Sequence, residues 1–262
     1  GPGPFLPPAS TNTNLKQIRQ IVTTVSEDDR HGTVATTTYA YAGGLYDYTE
    51  RRFLGFRSID VTLPCLASET VCPVKSYLFR QDLAAAGRIE SVTTKAGAGV
   101  VLRSEKHEWD TTTSVPFRAL EAAVEVTDTV AGTTRTRRTE YDQDVYGNVV
   151  TERRLGRLDT TADNRTVKRI FPVNQDLYIV GLKSRETLSV VTSGTTTYLA
   201  IIYLLYDLSS SYTDPPIKGD LTRVNRRNDQ PSGYVSRQYR YDTRGNLIQE
   251  ADETGAIGTP AR

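Results

Sequence analysis

Methionine is missing from this 262-residue chain, tryptophan occurs once, and there are two cysteines and two histidines. With so few His and Cys, a zinc site of ordinary spacing is ruled out: His31 and His107 do not flank Cys65 and Cys72 in any such pattern. No apolar run approaches the roughly 18 residues of a membrane-spanning helix, and no secretory leader is visible. Net charge is also close to zero, with 32 Lys and Arg against 31 Asp and Glu, so the global field that draws a protein onto nucleic acid or an anionic membrane is absent. The chain begins Gly1-Pro2 rather than with Met and reads as an excised fragment.

The residues present are those of strands with one wet face. The apolar share is 37% with a mean hydropathy of -0.44, and Thr, Ser, Arg, Asp and Gly fill the remainder. Fifteen Tyr against six Phe make tyrosine the main packing aromatic, a large ring whose hydroxyl still reaches water. Residues 1–14 are rich in Gly, Pro, Ser, Thr and Asn and read as a flexible linker or cloning remnant. From residue 15 to 262, short Val/Ile/Thr/Tyr runs alternate with turn residues, with a sub-boundary near 130. Val34–Tyr41, Phe53–Leu63, Gly99–Glu105, Phe117–Asp128, Thr133–Tyr141 and Thr197–Tyr206 are such runs. The expected fold is all-β, with consecutive antiparallel β-hairpins forming an extended curved sheet. The only helix-like pieces are Asp82–Ala86 and Leu120–Ala123, and the second reads as strand because Val124 and Val126 follow. Tyr198–Tyr206 is apolar on both sides of a pleat and should be covered on both faces or meet a partner.

Cys65 and Cys72 sit in a short excursion bracketed by Pro64 and Pro73. A disulfide there would staple the loop in an oxidising compartment; two free thiols are the alternative. His31 lies in a charged turn and His107 beside Trp109, and neither belongs to a nucleophile or metal motif. Gly43-Gly44 and Gly97-Ala98-Gly99 lack the frame of a phosphate loop and read as turn glycines. Glu50, Asp60, Asp82, Glu90 and Glu105 are scattered carboxylates, among which spacing cannot reveal a glycosidase pair. The clusters Arg135–Arg138 and Arg226-Arg227 read as solvated strand faces. Tyr39 and Tyr41, like Tyr239 and Tyr241, are spaced to share one strand face, for packing or for a sugar platform.

One segment recurs. Aligning Gly147 with Gly245 superposes Tyr141, Asp144, Gly147 and Asn148 on Tyr239, Asp242, Gly245 and Asn246, and the later copy adds Tyr241 where the earlier has Gln143. Gly-Asn between a tyrosine-bearing strand and an apolar one is a hairpin signal, and the preceding aspartate can accept backbone N–H bonds.

Tyr241-Asp242-Thr243-Arg244-Gly245-Asn246-Leu247-Ile248 resembles a YD repeat of the Rhs family. Tyr39–Asp47 leading to Arg52–Arg57, and Asp214–Val224, strengthen a resemblance to the Rhs-containing B subunits of bacterial Tc toxin complexes and their SpvB-like relatives. The resemblance implies a ribbon of hairpins wound into a hollow shell around a toxin domain, secreted or displayed at the cell surface. It implies no catalytic machinery and no cofactor, with partners in other segments of the same parent protein and the enclosed toxin domain, and no nucleic acid or membrane span. An extracellular adhesion or carbohydrate- or protein-binding module is the alternative, and a hydrolase a distant third. No C-terminal Asp-Pro self-cleavage motif of the Rhs type is seen.

Overall fold

The computed structural model describes residue 15 and residues 18–66, 69–97, 99–228, 233–252 and 257–258. The stretch 1–14, read from composition as a linker, lies outside the described residues. All regular structure among the described residues is strand. The chain divides into two compact units, residues 1–137 and 138–262.

The first unit contains β1 (Thr24–Asp28), β2 (Val34–Ala42), β3 (Leu45–Asp47), β4 (Arg52–Gly55), β5 (Ser58–Thr62), β6 (Val74–Phe79), β7 (Ile89–Lys95), β8 (Val101–Thr111), β9 (Ala119–Val130) and the start of β10 (Thr133–Gln143). Pairing is antiparallel and follows chain order, except that β2 pairs with β5 and the β3–β4 hairpin forms a separate two-stranded sheet. In β2 the pleat is plain: Tyr39 and Tyr41 are half-buried between exposed Thr38, Ala40 and Ala42. The buried apolar residues are Leu54, Ala85, Val92 and Ala123.

Two helix-like pieces were expected in this unit. Asp82–Ala86 is instead a turn, closed by Ala85 N–H donating to Asp82 Oδ1 at 2.9 Å and Gly87 N–H donating to Arg80 O at 3.1 Å. Five residues cannot offset the cost of helix nucleation. Leu120–Ala123 lies within β9, in line with the strand reading.

The second unit contains the rest of β10, then β11 (Val149–Arg157), β12 (Arg165–Ile170), β13 (Arg185–Thr192), β14 (Thr195–Tyr206), β15 (Leu221–Arg227), β16 (Tyr234–Tyr241), β17 (Leu247–Ala251) and β18 (Ile257–Gly258). From β11 to β18 each strand pairs antiparallel with the next. Val167, Ile201, Leu205, Tyr206 and Val224 are buried together with the polar Ser184, Thr187, Ser189 and Thr222.

Strand β14 only partly meets the expectation of cover on both faces. Its second half is buried at Ile201, Leu205 and Tyr206, whereas Tyr198 and Leu199 are 46% and 52% exposed. The register explains the difference, because β15 pairs with β14 only between Ile202 and Tyr206, leaving the first half with β13 as its one neighbour among the described residues.

Candidate functional site

The repeat signal resolves into two equivalent turns. In the β10–β11 connection, Asp144 Oδ1 accepts the N–H groups of Tyr146 and Asn148, each at 2.9 Å, while Oδ2 accepts the Asn148 side-chain amide at 2.8 Å. The β16–β17 connection repeats this: Asp242 Oδ1 accepts Arg244 N–H at 2.8 Å and Asn246 N–H at 2.9 Å, and Oδ2 accepts Asn246 Nδ2–H at 2.9 Å. Gly147 and Gly245 sit at φ +87° and +82°, the left-handed region a side chain disfavours. The Asn246 side-chain amide, with three backbone donors, holds the Asp242 carboxyl below its ordinary range.

A third turn of this type was not anticipated. Asp29 Oδ1 accepts His31 N–H at 2.7 Å and Thr33 N–H at 3.0 Å ahead of the β2 strand, with Thr33 where the others have Asn. The Asp-x-x-Gly spacing of Asp29 and Gly32 was the available signal. His31 therefore occupies the exposed middle of a turn.

Tyr39–Asp47 and Arg52–Arg57 form one knot of backbone contacts. Arg57 N–H donates to Gly43 O at 3.1 Å, and Gln81 Nε2 donates to Gly43 O at 2.6 Å and to Gly55 O at 2.9 Å. A Cβ at Gly43 would lie 2.6 Å from the Arg57 Cβ, so the close approach itself requires glycine. Arg57 then grips Glu90 side by side, Nη1 to Oε2 at 2.6 Å and Nη2 to Oε1 at 2.9 Å, and also donates to Phe79 O. Asp47 accepts Thr49 and Glu50 N–H at 2.8 and 2.9 Å, fixing the β3–β4 turn.

Asp214–Val224 is the return limb of the β14–β15 loop and the first residues of β15. Asp207 commands it from the far end of the loop: its carboxylate accepts the backbone N–H groups of Ile217 at 2.6 Å, Lys218 at 2.9 Å, Gly219 at 3.1 Å and Asp220 at 3.0 Å. Burial pushes this carboxyl up, but the four donors outweigh burial and it ionises below its ordinary value. Beside it lies a groove of about 690 Å³ lined in part by Asp207, Lys218, Asp220, Tyr239, Tyr241 and Asp242. Tyr241 is not a free platform there, since its hydroxyl donates to Leu221 O at 3.0 Å.

The repeat residues thus fall into two separate turns, and of them only Tyr239, Tyr241 and Asp242 meet at the groove. Among the scattered carboxylates, Asp82, Glu90 and Glu105 each close on an arginine, Arg80, Arg57 and Arg103. Arg137 and Arg138 of the basic cluster pair with Asp128 and Glu140. Across β11, β12 and β13, Arg169 bridges Glu152 at 2.8 Å and Glu186 at 2.9 Å, with Arg154 and Lys183 closing the ends. His107 Nδ1 lies 2.7 Å from Glu121 Oε1, and Trp109 Nε1 donates to Ile89 O at 2.8 Å. No group of three metal-ligating side chains occurs among the described residues. Cys65 and Cys72 are joined as a disulfide with Cα atoms 4.6 Å apart, and Leu63 N–H donates to Pro73 O at 2.9 Å across the loop's neck.

Residues 7–83 match the family model described as the insecticide toxin TcdB middle/N-terminal region. No curated protein matches the sequence. Among solved structures, a TcdB2-TccC3-Cdc42 crystal structure aligns with TM-score 0.63 at 10% identity over 84% of this chain and 18% of its own. A TcdB2-TccC3 crystal structure aligns with TM-score 0.62 at 9% identity over 92% and 22%. The Photorhabdus luminescens Tc holotoxin pore, carrying a TccC3 mutation, aligns with TM-score 0.60 at 9% identity over 87% and 19%. The chain therefore spans about a fifth of the length of the structures whose fold it shares, and the resemblance to Tc toxin components read from its motifs recurs in both comparisons.

Proposed function

We propose that this chain is a non-catalytic wall segment of a bacterial Rhs/Tc-type toxin shell, one that encloses or scaffolds a toxin domain carried elsewhere in the parent assembly. The observation that carries the reading is the agreement between the Tc-component fold over 84–92% of the chain and the family match over residues 7–83. The physical chemistry is consistent with it. Hairpins that pair in chain order bury little apolar surface each, so stability comes from lateral repetition, which suits a wall better than a compact catalytic body. The aspartate-capped turns are YD-type punctuation marking the rim of such a wall. Secretion fits the bridged cysteines, because an oxidising compartment keeps the disulfide.

Electron cryomicroscopy of the complete parent protein tests the proposal. The expected density has residues 15–262 in the side of a hollow container, continuous with further hairpins. A closed β-sandwich exposed to solvent on all sides would overturn it.

One observation favours a second reading as an adhesion or carbohydrate-binding module: the groove beside Asp207 carries Tyr239 and two carboxylates, Asp220 and Asp242. A glycan array probed with the purified chain separates the two, since the shell reading expects no saturable sugar binding.

A further inference from the structure

Arg185 opens β13, and Tyr203 of β14 is its direct cross-strand partner. The Arg185 guanidinium carbon lies 5.6 Å from the ring centroids of both Tyr203 and Tyr212. Those two rings are 5.0 Å apart, and the Tyr234 ring of β16 is 5.8 Å from Tyr203. Two phenols, one from a strand and one from a loop, therefore face one cation, and Tyr234, packed on Tyr203, is 40% exposed. The loop residue is held in place: Ser211 N–H and Thr213 N–H, on either side of Tyr212, donate to the hydroxyls of Ser209 and Ser211 at 3.0 and 3.2 Å.

Tyrosine faces attract a guanidinium but give its N–H groups no acceptor. Arg185 Nε is buried and has no hydrogen-bond partner, and no carboxylate among the described residues lies within ion-pair distance of this arginine. Arg153, Arg154 and Arg169 of the same unit each hold a carboxylate from their own or an adjacent strand, whereas the buried Nε of Arg185 is left without one. A partly desolvated guanidinium without an anion is costly, and a carboxylate approaching its remaining N–H edge would form charge-assisted, fork-shaped bonds in a surrounding of low polarity.

We propose that Arg185, faced by Tyr203 and Tyr212, is a receiving site for the carboxylate of an acidic side chain from another polypeptide segment. The fork of the Arg185 guanidinium matches the two oxygens of one carboxylate, and because Arg227 stands across from Tyr234 at the edge of the cluster, phosphate is an arm of the test. A polypeptide carboxylate is favoured over a sugar acid because two of the tyrosine faces are already occupied by the guanidinium and by each other. The site holds whether the chain serves as a container wall or as an adhesion module.

The test follows the Arg185 Nε–Hε resonance of the ¹⁵N-labelled full chain during titration with Ac-Gly-Glu-Gly-NH₂, its Gln counterpart, glucuronate and inorganic phosphate. The Glu peptide should give a saturable shift and the Gln peptide none, and Arg185→Lys, followed in parallel with the parent chain through the Tyr203 backbone amide, should weaken the Glu peptide by about tenfold or more. Equal responses to the two peptides, or no response to either, would overturn the site, and that comparison needs no variant. Stronger binding of glucuronate or phosphate than of the Glu peptide would overturn the polypeptide assignment. Circular dichroism establishes that Arg185→Lys is folded.

Discussion

Asp144 holds Asn148 with both carboxylate oxygens, one on its backbone N–H at 2.9 Å and one on its side-chain amide at 2.8 Å. Asn148 in turn uses the same amide group to reach Val180 O at 2.8 Å, so the β10–β11 turn is also tied to the β12–β13 connection. The matching pair Asp242 and Asn246 has no such second tie among its recorded contacts.

Asp144→Ala should accordingly destabilise the chain by about 1–2 kcal/mol, because several donors lose one acceptor. The same substitution at Asp242, whose partner Asn246 makes no second tie among the described residues, should cost less. Thermal unfolding followed by circular dichroism compares the two, and a larger loss at Asp242 would contradict the assignment of the tie.

Gly43→Ala should destabilise by about 2 kcal/mol or more, since the new methyl would collide with the Arg57 Cβ at a backbone φ of +66°. The loss should be greater than for alanine at Gly32, where φ is also positive but nothing stands within 4 Å. Melting temperatures of the two variants decide this.

The charge ladder predicts a pH profile. Glu152 and Glu186 are each pushed up by burial, but hydrogen bonds from Arg169 with Arg154 or Lys183 outweigh it, so both ionise below 4.5. Arg57 does the same to Glu90 directly. Groups with depressed folded values contribute stability above their unfolded values and lose it as pH falls through the folded ones. The melting temperature should therefore be flat between about pH 7 and 5 and drop below about pH 4. Arg169→Gln should cost about 2–3 kcal/mol at pH 7 and make the fall below about pH 4 shallower, because Glu152 and Glu186 lose a partner that holds their folded values down.

Thiol titration in denaturant without reductant should find no free cysteine, and two after reduction. Reduction should lower stability by about 2 kcal/mol, the contribution of closing a short loop. Two reactive thiols before reduction would show the bridge to be absent.

Much of the fold was legible because it is written locally. Strand alternation placed Tyr39 and Tyr41 on one half-buried face, and Asp-x-x-Gly-Asn fixed two turns whose aspartate carboxylates accept from donors within four residues. Arg103 with Glu105, and Arg138 with Glu140, follow the same logic: residues two apart on a strand share a face, a signal present in the sequence but not used. The Asp29 segment was read as a charged turn, but its likeness to the other two was missed because Thr33 replaces the asparagine. Asp207 finds its donors ten to thirteen residues away, and Arg185 meets rings from β14 and a loop. Such partners are set by register and loop path, which no spacing rule supplies. The half-exposed start of β14 was unreadable for the same reason, since cover depends on how far β15 extends.

The grip of Asp207 on Ile217 through Asp220 has an evolutionary corollary. Because one carboxylate fixes both where the chain leaves β14 and where it re-enters as β15, the five residues from Ser209 to Thr213 can diverge without moving the strand register. Tyr212 belongs to that interchangeable stretch. Homologues could thus exchange what frames Arg185 while leaving the scaffold untouched, which makes this loop the natural place for lineages to diversify what they recognise.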